Sequence, residues 1–304
     1  MYQIIKIFKP KNFLKIITSP KLITIRIGYL LKTLFFDLYF FLTKKKQYKY
    51  NVIFIAGMPI SASTLIKNML GRIPYYFTRY SPMPLDIEIN KNISDSMFKY
   101  CPKNSFTLFK THLNPDYENI NILDNNNVKK VIVSYRDLRD VALSRYYRIL
   151  EFPKKANDPR YVDYSKMNKE EGINHSINVI CKHYTKWIEG WIKHSKDRPS
   201  FIHFCKFEDL VINRKQEFKK MLNFYEIDLS EKLIDTIIFK TEGKNTVKKN
   251  VSDSAILPWA LSSNFRKGKI GEWKKDFSDK NIHEFKVKSG DILIKLGYEK
   301  NSNW

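Results

Sequence analysis

Four short, nearly continuous apolar runs punctuate the chain: Asn51–Gly57, Phe106–Phe109, Val131–Tyr135 and Phe201–Cys205. Runs that stay apolar at successive positions suit strands buried on both faces, as parallel strands are. Helix-length segments at roughly 63–72, 138–150, 172–194 and 213–226 follow them, with apolar residues recurring every three or four positions. Strands alternating with helices predict an α/β fold, a parallel β-sheet covered by helices on both faces.

The chain has 304 residues, 43% of them apolar, enough to bury a core, which excludes a disordered class. Cys101, Cys181 and Cys205 are widely spaced and the six histidines are not closely paired, so neither a disulfide framework nor a metal site is expected. The net charge is +23. Eleven Lys or Arg against the single acid Asp37 put +10 of it in the first 50 residues. Such an excess suits a polyanionic partner: nucleic acid, an anionic membrane or a phosphorylated small molecule. No zinc-finger, helix-turn-helix or RNP pattern is present, and nucleic acid is not expected.

Composition shifts at Tyr50, dividing the chain into a basic, apolar N-terminal helical extension (1–49) and a main domain (50–304). The apolar stretch Ile27–Leu42 has 16 residues, is interrupted by Lys32 and Asp37, and runs into Lys44, Lys45 and Lys46. A membrane-spanning helix needs about 20 apolar residues. Three placements of residues 22–42 stay open: on an anionic membrane surface, packed on the main domain, or as a signal anchor. The expected location is accordingly cytoplasmic or peripheral to the membrane, with a lumenal, signal-anchored form as the alternative.

In open α/β sheets, ligands sit at the carboxyl ends of the strands. The first run leads through Gly57-Met-Pro-Ile-Ser-Ala-Ser-Thr64 into a helix. Backbone N–H groups and a helix N-terminus there suit an anion, with Ser61, Ser63 and Thr64 as added donors. Laid on the nucleotide-binding template GxxxxGK[ST], the spacing fits, but Ala62 and Ser63 replace its second glycine and its lysine. An ordinary Ser/Thr helix cap remains the alternative. The second run is followed by Lys110-Thr111-His112, a candidate base beside a candidate electrostatic stabiliser. The third is followed by Arg136-Asp137-Leu138-Arg139-Asp140, with Ser144 in the next helix; Arg136 and Ser144 suit one phosphate. Arg139 and Asp140 are read as capping or pairing around the helix start. Near the C-terminus, Phe265-Arg266-Lys267-Gly268-Lys269-Ile270-Gly271-Glu272-Trp273 suits a flexible basic loop where backbone can approach an oxyanion, with a solvated basic turn as the alternative.

Taken together and in this order, these segments resemble the sulfotransferase family that uses 3′-phosphoadenosine 5′-phosphosulfate, in particular its soluble, hydroxyl-sulfating branch. Pro59–Thr64 is similar to the family's 5′-phosphosulfate loop, usually PKSGTT. Lys110–Leu113 matches the segment carrying the catalytic histidine, and Arg136 with Ser144 matches the 3′-phosphate pair. FRKGKIGEW is similar to the RKGxxGDWK signature that closes over the 3′-phosphate. Phe207-Glu208-Asp209-Leu210 stands where the family has YEDL, and Phe239 where a phenylalanine packs near adenine. The resemblance spans roughly residues 50–277.

It implies the P-loop-like sulfotransferase fold, a phosphosulfate donor, no metal and a hydroxyl-bearing acceptor: a carbohydrate, a lipid or a small alcohol. His112 and Lys110 are then catalytic. Pro59, Ser61, Ala62, Ser63, Thr64, Arg136, Ser144, Phe207, Phe239, Arg266, Lys267 and Gly268 then bind the donor. Four positions depart from the pattern. Ile60 stands where a lysine usually assists the leaving phosphate, Ala62 replaces glycine, Leu65 replaces an adenine-stacking aromatic, and Phe207 replaces tyrosine. Two alternatives follow: a kinase-like phosphotransferase, and a sulfotransferase-fold binding protein weakened in catalysis by Ile60.

Overall fold

The computed structural model describes residues 35, 38, 39, 42, 48–78, 91–98, 106–151, 162–242 and 268–304. Five parallel strands, β1 (Val52–Gly57), β2 (Tyr76–Thr78), β3 (Phe106–Thr111), β4 (Val131–Tyr135) and β5 (Ile202–Lys206), form one sheet in the order β2-β3-β1-β4-β5. β1 is central, with Ile55 opposite Lys110 on β3 and Gly57 opposite Ser134 on β4. The order reverses on either side of β1, so the ends of β1, β3 and β4 share a crevice, the usual ligand position in such sheets.

The pleat of β1 explains why its sequence is apolar throughout. Ile53 and Ile55 join Ile66, Met69, Phe218 and Leu222 in one core layer. Phe54 and Ala56 join Leu123, Val141, Trp191 and Phe285 in the other. Helices α1 (Ser63–Leu70), α6 (Arg214–Phe224) and α7 (Glu231–Lys240) supply the first layer. Helices α2 (Tyr117–Asn125), α3 (Leu138–Glu151), α4 (Lys169–Asp197) and α9 (Asp279–Lys295) supply the second. The short helices α5 (Phe207–Ile212) and α8 (Trp273–Asp276) follow β5 and precede α9.

Three differences from the sequence pattern have simple causes. β2 is only three residues long, below the length at which an apolar run stands out. β3 extends past Phe109 to Thr111, because its polar last residues still pair with Ile55 and Ala56. Lys110 is therefore a strand residue, and His112 follows the strand directly. Helix α4 starts before the periodic segment, at a capping box in which Asn168 and Glu171 satisfy each other's backbone N–H.

Most of the 1–49 extension lies outside the described residues. Phe35, Leu38, Tyr39 and Leu42 are helical and exposed. No described helix is long and apolar enough to cross a membrane. Tyr48, stacked on Tyr76 at 5.2 Å between ring centres, already belongs to the domain core.

Candidate active site

The turn after β1 is drawn tightly against the sheet. A Cβ at Gly57 would lie 2.3 Å from Ser63 Cβ, so only glycine lets α1 start this close to the strand. Ser61 is fully buried; its hydroxyl reaches Met58 O at 2.6 Å and Ser134 Oγ at 2.8 Å, tying the loop to β4. Its side chain thus builds the loop. Ile60 and Ala62 both hold left-handed backbone, at φ 66° and 60°. A β-branched residue there is a marked outlier, and strain of this kind collects at functional sites. The Ile60 side chain packs against the core layer. Ala62 is the N-cap of α1 and has no side-chain acceptor, which leaves first-turn amides of the helix to an incoming anion.

The strain at Ala62 carries an expected result. Ala62→Gly removes a steric cost of left-handed backbone and adds some chain entropy to the unfolded state, for a net gain of about 1 kcal/mol. The midpoint of thermal unfolding should rise by about 2–4 °C for a domain of this size. An unchanged or lower midpoint contradicts the strain.

At the end of β3, His112 Nδ1 donates to Gly57 O. A carbonyl only accepts, so Nδ1 bears the proton and Nε2 keeps its lone pair. Nε2 lies 3.5 Å from Lys110 Nζ. Burial, then the Lys110 charge, pull the imidazole down to about 3, against the opposing Gly57 hydrogen bond. His112 is therefore a neutral base at physiological pH. Burial and the nearby Lys67 charge likewise lower Lys110 to about 8. Such a crowded set of cations suits an anionic ligand.

Beyond β4, Arg136 is 4% exposed, its guanidinium stacked 4.1 Å from the Phe207 ring centre. It donates to Lys269 O at 2.7 Å and pairs with Asp140 at 3.5 Å, while its buried Nε has no partner. Asp140 also accepts from the Gly271 and Trp273 amides, at 2.8 and 3.1 Å. One carboxylate thus fixes the C-terminal loop over the arginine. Arg139 lies between the Trp273 and Trp304 rings, pairs with Glu299, and holds Asp137 at 2.7 Å. Glu208 accepts from Tyr298 Oη at 2.7 Å and from the Asp137 amide at 3.3 Å. The C-terminal residues therefore brace the whole Tyr135–Asp140 turn.

A family model described as Sulfotransferase domain matches residues 46–290. The chain belongs to the sulfotransferase domain family. Among its relatives, human Sulfotransferase 1E1 is 28% identical over 62% of this chain and 62% of its own length. Mouse Sulfotransferase 1E1 is 26% identical over 76% and 75% respectively. The chain thus spans about three fifths of the human relative's length. The fold is similar to that of the mouse sulfotransferase SULT7A1 complexed with PAP, with a TM-score of 0.61 at 17% identity over 81% of this chain and 84% of that one. A retinol dehydratase in a complex with retinol and PAP gives a TM-score of 0.55 at 18% identity, over 80% and 81%.

In this sulfotransferase domain, the loop residues Pro59–Thr64, the pair Lys110 and His112, and the turn at Arg136 all stand at the carboxyl ends of β1, β3 and β4. Ser144 is buried two turns into α3, and Phe207 forms the floor beneath Arg136. Gly268, at φ 63°, takes a conformation that favours glycine. Arg266 and Lys267 lie outside the described residues. Phe239 sits 65% exposed on the last turn of α7, before the undescribed span 243–267. The sequence pattern marks Gly57 as the first glycine of the loop template but gives no sign of Ser134 or of the C-terminal residues Tyr298, Glu299 and Trp304.

Proposed function

We propose that the protein moves a sulfuryl group from 3′-phosphoadenosine 5′-phosphosulfate to an acceptor hydroxyl by in-line displacement. The observation that carries this reading is the tautomer of His112: Nδ1–H is spent on Gly57 O, which leaves an unprotonated Nε2 beside the Lys110 ammonium. Nε2 takes the acceptor's proton as its oxygen attacks sulfur; the sulfur–oxygen bond to the phosphate breaks, and adenosine 3′,5′-bisphosphate leaves. Lys110 stabilises the charge on the transferring oxygens. The first-turn amides of α1 with Ser63 and Thr64 hold the 5′-phosphosulfate, and Ser61 shapes their loop.

The residues present fit such a donor. The unpartnered buried Nε of Arg136, with Ser144 and Gly268, suits the 3′-phosphate, and Arg266 and Lys267 are proposed to join them. Phe207 and Phe239 are proposed contacts of the adenosine. The structures of SULT7A1 and retinol dehydratase bound to PAP support this choice of nucleotide. A serine at position 63, where a phosphate-binding lysine stands in the nucleotide-binding template, disfavours the kinase alternative. Residues 50–304 form the catalytic domain in this reading. A cytoplasmic location is proposed with it, and the basic first 49 residues would suit an anionic membrane surface. The acceptor is a carbohydrate, a lipid or a small alcohol.

The test is calorimetric titration with adenosine 3′,5′-bisphosphate and with Mg-ATP, followed by an acceptor screen with labelled donor. Tight bisphosphate binding with transfer supports the reading, and Mg-ATP binding without bisphosphate binding refutes it. A second reading has its own observation, the partly buried Ile60 side chain packed against the core where the family usually has a lysine. Bisphosphate binding without transfer to any acceptor would select that inactive binding protein.

Lys110 adds a pH signature. Its amine is lowered to about 8 by burial and by Lys67, and a bound polyanion restores the charged form. Binding of the bisphosphate near pH 8 should therefore take up protons and weaken as pH rises further. Calorimetry in buffers of different ionisation enthalpy measures that uptake, and Lys110→Met should abolish it. Uptake of zero in the unmodified protein overturns the role of Lys110.

A further inference from the structure

We infer that Trp187 is a positioning residue for His112, an inference that rests on the reading of His112 as the general base. β3 ends at Thr111, and beyond it the backbone leaves the sheet and needs other hydrogen-bond partners. Side chains supply them at three successive carbonyls. Trp187 Nε1 donates to Leu113 O at 2.8 Å, Asn119 Nδ2 to Asn114 O at 3.1 Å, and His194 Nε2 to Pro115 O at 2.9 Å. The amides are held as well, Leu113 N by Thr111 Oγ1 at 3.3 Å and Asn114 N by Lys91 O at 2.7 Å.

Trp187 and His194 lie two turns apart on α4, with Gly190 between them. A Cβ at Gly190 would come within 2.4 Å of Pro115, so the helix lies directly against this segment. Of the three donors, Trp187 acts nearest the base, on the carbonyl of the residue that follows it. Its indole is 5% exposed and packs edge-on against Trp191 and Tyr184, which leaves it little freedom to follow a moving backbone. The chain on the other side of His112 is fixed by the sheet. The imidazole is thus held between the β3 ladder and the Trp187 bond, and that hold keeps Nδ1 on Gly57 O.

Trp187→Phe keeps the ring and removes the N–H. Nitrogen NMR of the histidine rings at neutral pH should show one tautomer of His112 in the parent, protonated at Nδ1, and a mixture of both in the variant. The kcat for transfer should fall about 10- to 100-fold, with KM for the donor within about twofold, as expected when a reacting group is misplaced by a fraction of an ångström. In a His112→Ala background the same change should cost nothing further, since the group it positions is gone. A single Nδ1–H tautomer persisting in Trp187→Phe overturns the inference, as does an equal loss of rate without His112. The tautomer measurement needs no turnover, so it decides the role of Trp187 even where no transfer is found and the proposed function fails. Should Trp187→Phe not fold, His194→Phe two turns further along α4 removes the donor to Pro115 O and should shift the tautomer ratio in the same direction, though less; an unmoved ratio there counts against the inference.

Discussion

Replacing His112 by alanine should abolish most sulfuryl transfer, by a factor of about 10²–10⁴, while the affinity for adenosine 3′,5′-bisphosphate stays within about twofold. The large effect follows from the proposed mechanism: with Nδ1–H committed to Gly57 O, Nε2 is the atom left to take the acceptor's proton. The small effect follows from the cations around it. Arg136 and the α1 amides are untouched, and Lys110 is relieved of a neighbour. Single-turnover rates with labelled donor and calorimetric titration measure the two quantities separately. The pH profile adds a check whose sign is fixed. A base works only when deprotonated, so its rate falls as pH drops through its pKa, and burial has moved that point from the ordinary 6.5 down to about 3. The free protein's kcat/KM should therefore show no acid limb near pH 6.5. Such a limb, or loss of bisphosphate binding in His112→Ala, removes His112 from the role of base.

How far the sequence reached depends on what each residue answers to. Core strands answer to local pattern: β1 and β4 are apolar at nearly every position because both faces are covered, and that pattern is visible without coordinates. β2 is carried by its neighbour β3 rather than by its own three residues, so nothing local marks it. The site divides in the same way. His112, Lys110 and Arg136 follow strand ends directly, and chemistry at a strand end can be read in order along the chain. Ser61 stands in the loop as a donor to an anion would, but its hydroxyl is spent on Met58 and on Ser134, the latter 73 residues away. The pairing of Arg139 and Asp140 is legible in kind, but Glu299 and Trp304 reach Arg139 across 160 residues or more, a contact set only by how the chain beyond α9 returns to the start of α3. Three-dimensional return paths of this sort leave no periodicity to read.

Arg136 is where such a return path meets the proposed nucleotide site. Its guanidinium already holds Lys269 O and Asp140 while stacked on Phe207, so the side chain cannot swing, and the unpartnered Nε is fixed in place. A buried donor without a partner costs about 1–3 kcal/mol, and a bound phosphate oxygen recovers it. Arg136→Lys should therefore weaken the bisphosphate by about 10- to 150-fold, the equivalent of one or two charge-assisted hydrogen bonds. It should leave adenosine 5′-monophosphate, which has no 3′-phosphate, within about twofold. Lysine keeps a cation near the buried Asp140 but has neither the planar stack nor the fork. Arg136→Ala should also lower the unfolding temperature, because Asp140, 1% exposed, loses its cation and keeps only the Gly271 and Trp273 amides. The ratio of the two nucleotide affinities in Arg136→Lys separates recognition from folding. A collapsed ratio assigns the 3′-phosphate to Arg136, and a ratio equal to that of the parent protein means that Arg136 serves only to seat the C-terminal loop.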